Sequence, residues 1–199
     1  MAFTLALLLY AVLQFIAFLF VLVGTPLDMF HLRSGGRFGN TPCITLWGLN
    51  EECYTSRNDI SLDTLWMDCP SRRDRFRVAQ VFAIISIFVY GLAALLGFIL
   101  LCCCSCLRWV CLALNIAGIA TLCVVWASMV RTYEKADGFC VREKLVSFFG
   151  VGFSLLVMAW CLDITNIAFL LLPWQGRDPT KSRDPSENKA PSENGEANK

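Results

Sequence analysis

Cysteine is the residue type that most suggests chemistry in this 199-residue chain, which contains eleven of them. A short polar turn holds a cluster that includes a Cys-x-x-Cys spacing: Cys102, Cys103, Cys104 and Cys106. This spacing can serve redox exchange or bind zinc, but both uses need partner residues close by. Because the other loop cysteines lie across the membrane, S-palmitoylation is favoured over both uses, and thiols acting as small apolar side chains at an interface fit as well as palmitoylation does.

A second group of cysteines lies in two other loops: Cys43, Cys53, Cys69 and Cys140. Cysteines in exposed loops suggest disulfides, which form in an oxidising compartment, and four cysteines allow three pairings. We predict a Cys43–Cys53 bond, because it closes a short hairpin at a gain of about 2–3 kcal/mol from loop-closure entropy. The remaining bond is then Cys69–Cys140, which joins the two loops.

Other chemistry finds little support in the sequence. His31 is the only histidine, so no His-rich metal site or Ser/His/Asp triad can be assembled. No Gly-rich phosphate loop or paired-carboxylate site is present, and a net charge of +1 gives no electrostatic case for nucleic acid. We therefore expect no metal, no cofactor, no nucleic acid and no enzyme activity.

Asp163 is the only charged residue in the last apolar segment. A charged Asp at the centre of a membrane helix costs about 2.5–3.5 kcal/mol, so it needs a partner or a purpose. At a rise of about 1.5 Å per residue, the other segments carry polar side chains at a similar depth. We predict an intramembrane polar layer with these members: Gln14, Tyr90, Asn115, Asp163 and Asn166. Asp163 is expected to donate a hydrogen bond to Gln14 or Asn115, either in a clasp that fixes helix register, which is favoured, or in a proton relay.

Apolar segments must position these side chains. The chain is 56% hydrophobic and 17% charged, whereas a soluble domain is about a quarter charged. Its apolar blocks exceed the roughly 20 residues that cross a bilayer, and they do not alternate as barrel strands do. We predict an all-α membrane protein, a bundle of four transmembrane helices over residues 4–24, 78–101, 109–130 and 145–172. The first helix is expected to stay uncleaved, because it lacks a basic start and a cleavage site.

The segments outside the spans differ in composition. The outer loops are 25–77 and 131–144, and the first is rich in β-branched and aromatic residues around Cys43–Trp47. With the turn signal Gly48-Leu49-Asn50, this pattern predicts a β-hairpin over 41–54 and a small sheet on the outer helix ends. The membrane domain covers 1–174, and segment 175–199, without Leu, Ile, Val or Phe, is expected to be a disordered tail.

Two signals disagree about orientation. The loop cysteines place loops 25–77 and 131–144 outside the cell, where disulfides form. The same loops hold most of the Lys and Arg residues, including the arginines of 72–77, and the positive-inside rule would keep them in the cytoplasm. The residues alone leave the orientation open.

The segment Cys43-Ile44-Thr45-Leu46-Trp47-Gly48-Leu49-Asn50-Glu51-Glu52-Cys53 closely resembles the signature of the amastins, surface proteins of trypanosomatid parasites. All positions fit except Asn50, where Lys, Arg or Gln is usual. The matching residues that we single out are Cys43, Thr45, Leu46, Trp47, Gly48, Glu52 and Cys53. The resemblance covers residues 1 to about 174 and includes the opening segments 14–18 and 24–30.

This resemblance implies a claudin-like architecture with an extracellular first loop, and hence cytoplasmic termini at the plasma membrane. It implies a cell-surface protein with a non-enzymatic adhesion, membrane-organising or host-interface role through loop 25–77. The expected partners are membrane lipids, further copies of the chain, and host or cell-surface proteins or lipids. The alternative function is ion, proton or small-solute transport through the bundle or a homo-oligomer, involving Asp163.

The loop also offers candidate contact residues, for which packing in its own core is the favoured interpretation because large aromatics are more often buried: Ile44, Leu46, Trp47, Tyr54 and Trp66. Within the spans, small residues four apart predict close helix packing. They are Gly150 with Ser154, which enclose a further small residue at Gly152, Ala93 with Gly97, and Ala113 with Ala117.

Overall fold

A computed structural model describes residues 2–33, 42–51, 53, 60–102, 107–135, 140 and 143–171. The helices in this part of the chain are α1 (Ala2–Gly24), α2 (Leu62–Leu65), α3 (Pro70–Cys102), α4 (Leu107–Glu134), α5 (Glu143–Val146) and α6 (Val151–Leu171). The strands are β1 (Asp28–Leu32), β2 (Cys43–Thr45), β3 (Gly48–Asn50), β4 (Ile60–Ser61) and β5 (Ser147–Phe149). Helices α1, α3, α4 and α6 are long and apolar enough to cross a membrane, which confirms the four-span prediction.

The four long helices form a ring in which α1 packs on α3, α3 on α4, α4 on α6 and α6 on α1. Small side chains occupy much of its interior, among them Ala17, Ala83 and Ala159, all fully buried. Large apolar side chains such as Phe88 point outward. Small residues inside let the helix backbones approach, which is how helices associate in lipid without a hydrophobic driving force.

The outer sheet has the order β4-β3-β2-β1-β5, and every neighbouring pair is antiparallel. Strand β1 follows α1 and β5 precedes α6, and the two pair with each other through Phe30 and Phe149. Phe30 is fully buried and its ring also contacts Phe76 of α3 and Tyr133 of α4. The sheet therefore rests on the outer ends of the bundle, and the two share one core.

Two predicted spans differ from the helices. The second span begins at Pro70 rather than 78, because the arginine-rich stretch continues the helix above the apolar part, and proline suits a first helical turn. The fourth predicted span, 145–172, is wrong at its start. Leu145 belongs to α5, Ser147–Phe149 form β5, and α6 begins at Val151. An apolar edge strand and the start of a span have the same hydropathy, so local composition cannot separate them.

The structure confirms the hairpin but moves its turn. Gly48–Asn50, predicted as the turn, is strand β3, and the turn lies at Leu46 and Trp47. The Thr45 hydroxyl oxygen accepts hydrogen bonds from the backbone N–H groups of Trp47 and Gly48, both at 3.1 Å. The Thr45 side chain thus satisfies two backbone N–H groups of the turn, and Gly48 lies opposite Ser61 of β4. Thr41 and Tyr54 lie outside the described residues.

The small residues pack closely at some of the predicted positions. A Cβ at Gly97 would lie 3.3 Å from the Tyr10 ring, so this part of α3 touches α1 as predicted. On α4 the prediction is wrong, because Ala113 is exposed and Gly118 makes the close approach. Gly150 precedes α6, and its neighbour is the Asp28 carboxylate rather than another helix.

Candidate functional site

The signature hairpin places most of its large apolar side chains in the core. Ile44 and Leu46 are buried, and Gln80 of α3 donates a hydrogen bond to the Leu46 carbonyl at 2.7 Å. Trp47, at the tip of the turn, is exposed, so it remains a contact candidate. Glu52 and Tyr54 lie outside the described residues. The signature thus shapes a turn held against α3 and leaves one tryptophan at the surface.

Trp66 is also a core residue. Its ring stacks on Phe76 at a centroid distance of 5.9 Å, and the Arg72 guanidinium lies 4.7 Å from the Trp66 ring centroid. Arg72 is only 2% exposed, which is rare for a charged side chain and marks a structural role. Further along α3, Arg77 forms an ion pair with Asp63 at 2.6 Å. At least two of the arginines behind the charge-based orientation are therefore engaged within the outer part of the fold.

The loop cysteines form the two bonds that the sequence analysis predicts. Cys43 is joined to Cys53 with a Cα–Cα distance of 5.5 Å, and Cys69 is joined to Cys140 at 6.4 Å. Both distances lie in the ordinary range for disulfides. The first bond closes the hairpin, and the second ties the start of α3 to the chain segment before β5.

One cluster was missed by the sequence analysis. The His31 Nε2 atom lies 2.7 Å from Asp28 Oδ2, and His31 Nδ1 lies 3.6 Å from the Cys53 sulfur. Asp28 is almost buried and also accepts a hydrogen bond from the backbone N–H of Val151 at 3.1 Å. The two residues lie three apart, with Asp28 inside the opening segment 24–30 and His31 directly after it, but nothing in that spacing indicates the third partner.

The predicted intramembrane polar layer consists of side chains that are all buried in the bundle: Gln14, Tyr90, Asn115, Asp163 and Asn166. The hydrogen bonds differ from the prediction. The side-chain amide of Asn166 donates a hydrogen bond to the side-chain oxygen (Oε1) of Gln14 at 2.7 Å, which links α6 to α1. Asn115 donates to the hydroxyl of Tyr10, a buried residue that the sequence analysis did not include, at 3.4 Å. Gln14 and Asn115 therefore have partners other than Asp163.

Asp163 itself lies where α3, α4 and α6 meet. A Cβ at Gly118 of α4 would lie 2.9 Å from Asp163 Oδ2 and 2.8 Å from the Tyr90 ring. Tyr90 of α3 is the polar neighbour that interacts with the Asp163 carboxyl group, although neither carboxyl oxygen meets the geometry of an ordinary hydrogen bond within the described residues. A further polar link, from the Ser86 hydroxyl to Thr121 at 2.9 Å, joins α3 to α4. The layer is thus a set of pairwise links between helices, with Asp163 held by packing.

An apolar strip runs along the outer rim of the bundle, where β5 is the edge strand of the sheet. Its members are exposed although they lie outside the spans, and we call them the rim strip: Leu145, Val146, Phe148 and Phe149. Phe148 is 52% exposed, and the Arg33 guanidinium covers one face of its ring at 4.0 Å. The strip continues into Val151, the first residue of α6.

The turn between α3 and α4, which we call the inner turn, provides little further evidence for a functional site. Cys103, Cys104 and Cys106 lie outside the described residues, and Cys102 ends α3. Among the residues that the structure describes, no three His, Cys, Asp or Glu side chains are grouped as a metal site would need.

The comparisons with known proteins agree with the architecture. The family model described as Amastin surface glycoprotein matches residues 15–170, which is most of the chain. No curated protein matches the sequence. The family match ends near the end of α6 and includes the outer sheet, both disulfides and every residue of the polar layer except Gln14.

Proposed function

The chain belongs to the amastin surface glycoprotein family, and from this membership we propose a non-enzymatic, membrane-organising role at the cell surface. The contact surface in this proposal is the outer sheet with its rim strip. The rim strip is the observation that carries the proposal, because exposed apolar patches on folded proteins mark interaction sites. The strip adjoins the lipid-facing side of α6, which favours partners in the plane of the membrane.

We propose further that both outer loops face the outside of the cell and that both termini are cytoplasmic. Two disulfides in the outer part support this orientation, since such bonds persist in oxidising compartments. The opposing charge signal is weakened, because Arg72 lies over Trp66 and Arg77 is paired with Asp63. Segment 175–199 would then be a cytoplasmic tail.

Cysteine labelling tests the orientation. A membrane-impermeant maleimide applied to intact cells should label Cys53 and Cys140 only after reduction. The cysteines of the inner turn should react only after the membrane is permeabilised. Labelling of the inner turn on intact cells would place the sheet in the cytoplasm and refute the proposal.

For the contact itself, we propose a second copy of the chain as the lateral partner, with adhesion to a host cell as a consequence of clustering. An exposed apolar strand at the edge of a sheet is suited to association with a like surface. Within the described sheet, β5 is such an edge, since it pairs only with β1.

The decisive variant is the double substitution Leu145→Ser and Phe148→Ser. We expect it to reduce energy transfer between labelled copies at the cell surface and to reduce attachment of expressing cells to a host-cell monolayer. The matched control is Met67→Ser, which removes an apolar side chain that is 69% exposed elsewhere in the outer part. If the control and the double variant behave alike, or if neither changes the transfer, the rim strip is not the contact surface.

Transport through the bundle is the less favoured function. The family match supports a surface protein, and Gln14, Asn115 and Asn166 of the polar layer form hydrogen bonds that link helices. We therefore assign the layer to helix register, and we assign the contact function to the outer part of the molecule.

A further inference from the structure

The only histidine of the chain contacts one of its disulfides. His31 lies on β1, directly opposite Cys43 of β2, and the bond from Cys43 to Cys53 brings the second sulfur to 3.6 Å from His31 Nδ1. The other ring nitrogen is held by Asp28 at 2.7 Å. The imidazole therefore contacts the carboxylate through one ring nitrogen and the sulfur through the other.

This order of groups decides what the imidazole can do. Asp28 accepts a hydrogen bond from Nε2 only when Nε2 carries a hydrogen, so in the neutral ring Nδ1 is the acceptor, and it faces Cys53. When the disulfide is reduced, the Cys53 thiol can pass its proton to Nδ1. A thiolate then forms beside an imidazolium that Asp28 stabilises and orients. Thiolates next to a protonated histidine are the reactive form of cysteine.

The two sulfurs differ in access. Cys43 is fully buried in β2, whereas Cys53 is partly exposed and the His31 side chain is 35% exposed. An external reagent therefore reaches Cys53 first. Cys43 remains behind it at a Cα–Cα distance of 5.5 Å, which suits a second thiol that attacks a mixed disulfide on Cys53.

We propose that Cys43 and Cys53 form an exchange-active thiol–disulfide pair, in which Cys53 attacks, Cys43 resolves, His31 is the base and Asp28 positions it. The reacting partner is a small, peptide-like disulfide, because a partly buried sulfur admits a thin ligand more readily than a folded surface. This goes beyond the proposed contact role and does not depend on it.

The reaction balances with this one partner. The Cys53 thiolate attacks one sulfur of the external disulfide, forms a mixed disulfide and expels the other half as a thiolate, which takes the proton held by His31. The Cys43 thiol then gives up its proton and attacks the Cys53 sulfur. The second half leaves as a thiolate and takes that proton, and the Cys43–Cys53 bond is restored. The protein dithiol is oxidised by two electrons, and the external disulfide is reduced to two thiols.

The charged groups near His31 are few in the described part of the fold. Asp28 contacts the ring directly. Arg33, two residues after His31 and just beyond the end of β1, lies over Phe148, the β5 residue opposite His31. Glu51 lies two residues before Cys53 in the sequence. On β2 and β5 the residues opposite His31 are Cys43 and Phe148, which leaves Asp28 as the group in contact with the imidazole.

The test uses the full-length protein in lipid nanodiscs, reduced and freed of reductant, with glutathione disulfide as the probe. Acid quenching and peptide mapping give a rate for each cysteine. A thiol with an ordinary pKa of about 8.5 is only a few per cent ionised at pH 7, and ionised thiols near a histidine lose part of their nucleophilicity. Cys53 is therefore expected to react about tenfold faster at pH 7 than Cys140, which has no recorded histidine contact in the described structure.

The pH profile separates chemistry from structure. The Cys53 rate should stay high down to about pH 6 in the wild type, as an ion pair allows, and in His31→Gln it should fall about tenfold for each pH unit. The two proteins should converge above about pH 9, where a thiol ionises unaided. Formation of the Cys69–Cys140 bond in each sample reports that the protein is folded.

Several outcomes would overturn the proposal. They are a Cys53 rate equal to that of Cys140 in the wild type, glutathione attached first to Cys43, or a profile that His31→Gln leaves unchanged. The first two comparisons need no variant, so they decide the matter even if His31→Gln does not fold. Because the experiment uses purified protein, its failure would leave the cell-surface contact proposal standing, and the reverse also holds.

Discussion

The outer sheet and the bundle interior are stabilised by different means although they belong to one core. In the sheet, large rings meet: Phe30 contacts Phe76, Tyr133 and Phe149, and two disulfides close the loops. In the bundle, glycines and alanines bring backbones together, and a few buried polar pairs link the helices. The difference follows from the solvent, because water drives apolar burial around the sheet and lipid supplies no such force between spans.

The largest effect is expected from the ring that joins the two regions. Phe30→Ala removes a fully buried side chain with three aromatic neighbours and should lower the free energy of unfolding by about 3–5 kcal/mol. Thermal unfolding in nanodiscs measures this. The control is Phe88→Ala, at a side chain that faces lipid and is 73% exposed, and it should change stability little. Equal losses would mean that the sheet and the bundle do not share a core.

The two disulfides should contribute different amounts to the free energy of unfolding, because they close loops of different length. The Cys69–Cys140 bond spans 71 residues and the Cys43–Cys53 bond spans 10. Loop-closure entropy then predicts a loss of about 4 kcal/mol for a Cys69→Ser and Cys140→Ser pair, against about 3 kcal/mol for the hairpin pair. Chemical unfolding of both double variants tests the order. A larger loss for the hairpin pair would show that β2 and β3 depend on their bond more than entropy requires.

In the bundle, overpacking should be the sensitive test. Gly118→Ala would bring a Cβ to 2.8 Å from the Tyr90 ring and 2.9 Å from Asp163, and we expect a loss of about 1–3 kcal/mol. Gly91→Ala is the matched control, since its Cβ would meet only Phe18, a side chain, at 3.2 Å. Measured by unfolding in nanodiscs, Gly118→Ala should be clearly less stable than Gly91→Ala. The opposite order would mean that α4 does not approach α3 and α6 at this point.

The smallest effect concerns the polar links. Asn166→Leu breaks the bond to Gln14 and should cost about 0.6–1.7 kcal/mol, with a double-mutant cycle against Gln14→Leu recovering the pair energy. Asp163→Asn keeps the shape of the side chain and a polar group beside Tyr90, so we expect little loss of stability. If Asp163→Asn costs more than Asn166→Leu, then Asp163 rather than Asn166 carries the layer. A proton flux that Asp163→Asn abolishes would favour a relay over a clasp.

Much of this architecture could be predicted from the sequence, because its signals are local. Four apolar blocks specify four spans, since each must satisfy its backbone within lipid. The β-branched run after Cys43 indicates a hairpin, and the hairpin in turn indicates the pairing of Cys43 with Cys53 and of Cys69 with Cys140. Similar depth along the helices was enough to name five buried polar side chains of the layer, but not Tyr10, the partner of Asn115.

Contacts between elements were decided only by the tertiary structure. Depth along a helix does not specify rotation about its axis. Gln14 therefore bonds to Asn166 and Asn115 bonds to Tyr10, whereas Asp163 was predicted to donate to one or the other of them. Hydropathy could not separate β5 from α6, because Phe148 and Phe149 are as apolar as the span they precede. His31, Asp28 and Cys53 meet because β1 pairs with β2, and a strand register is a property of two segments that neither contains alone.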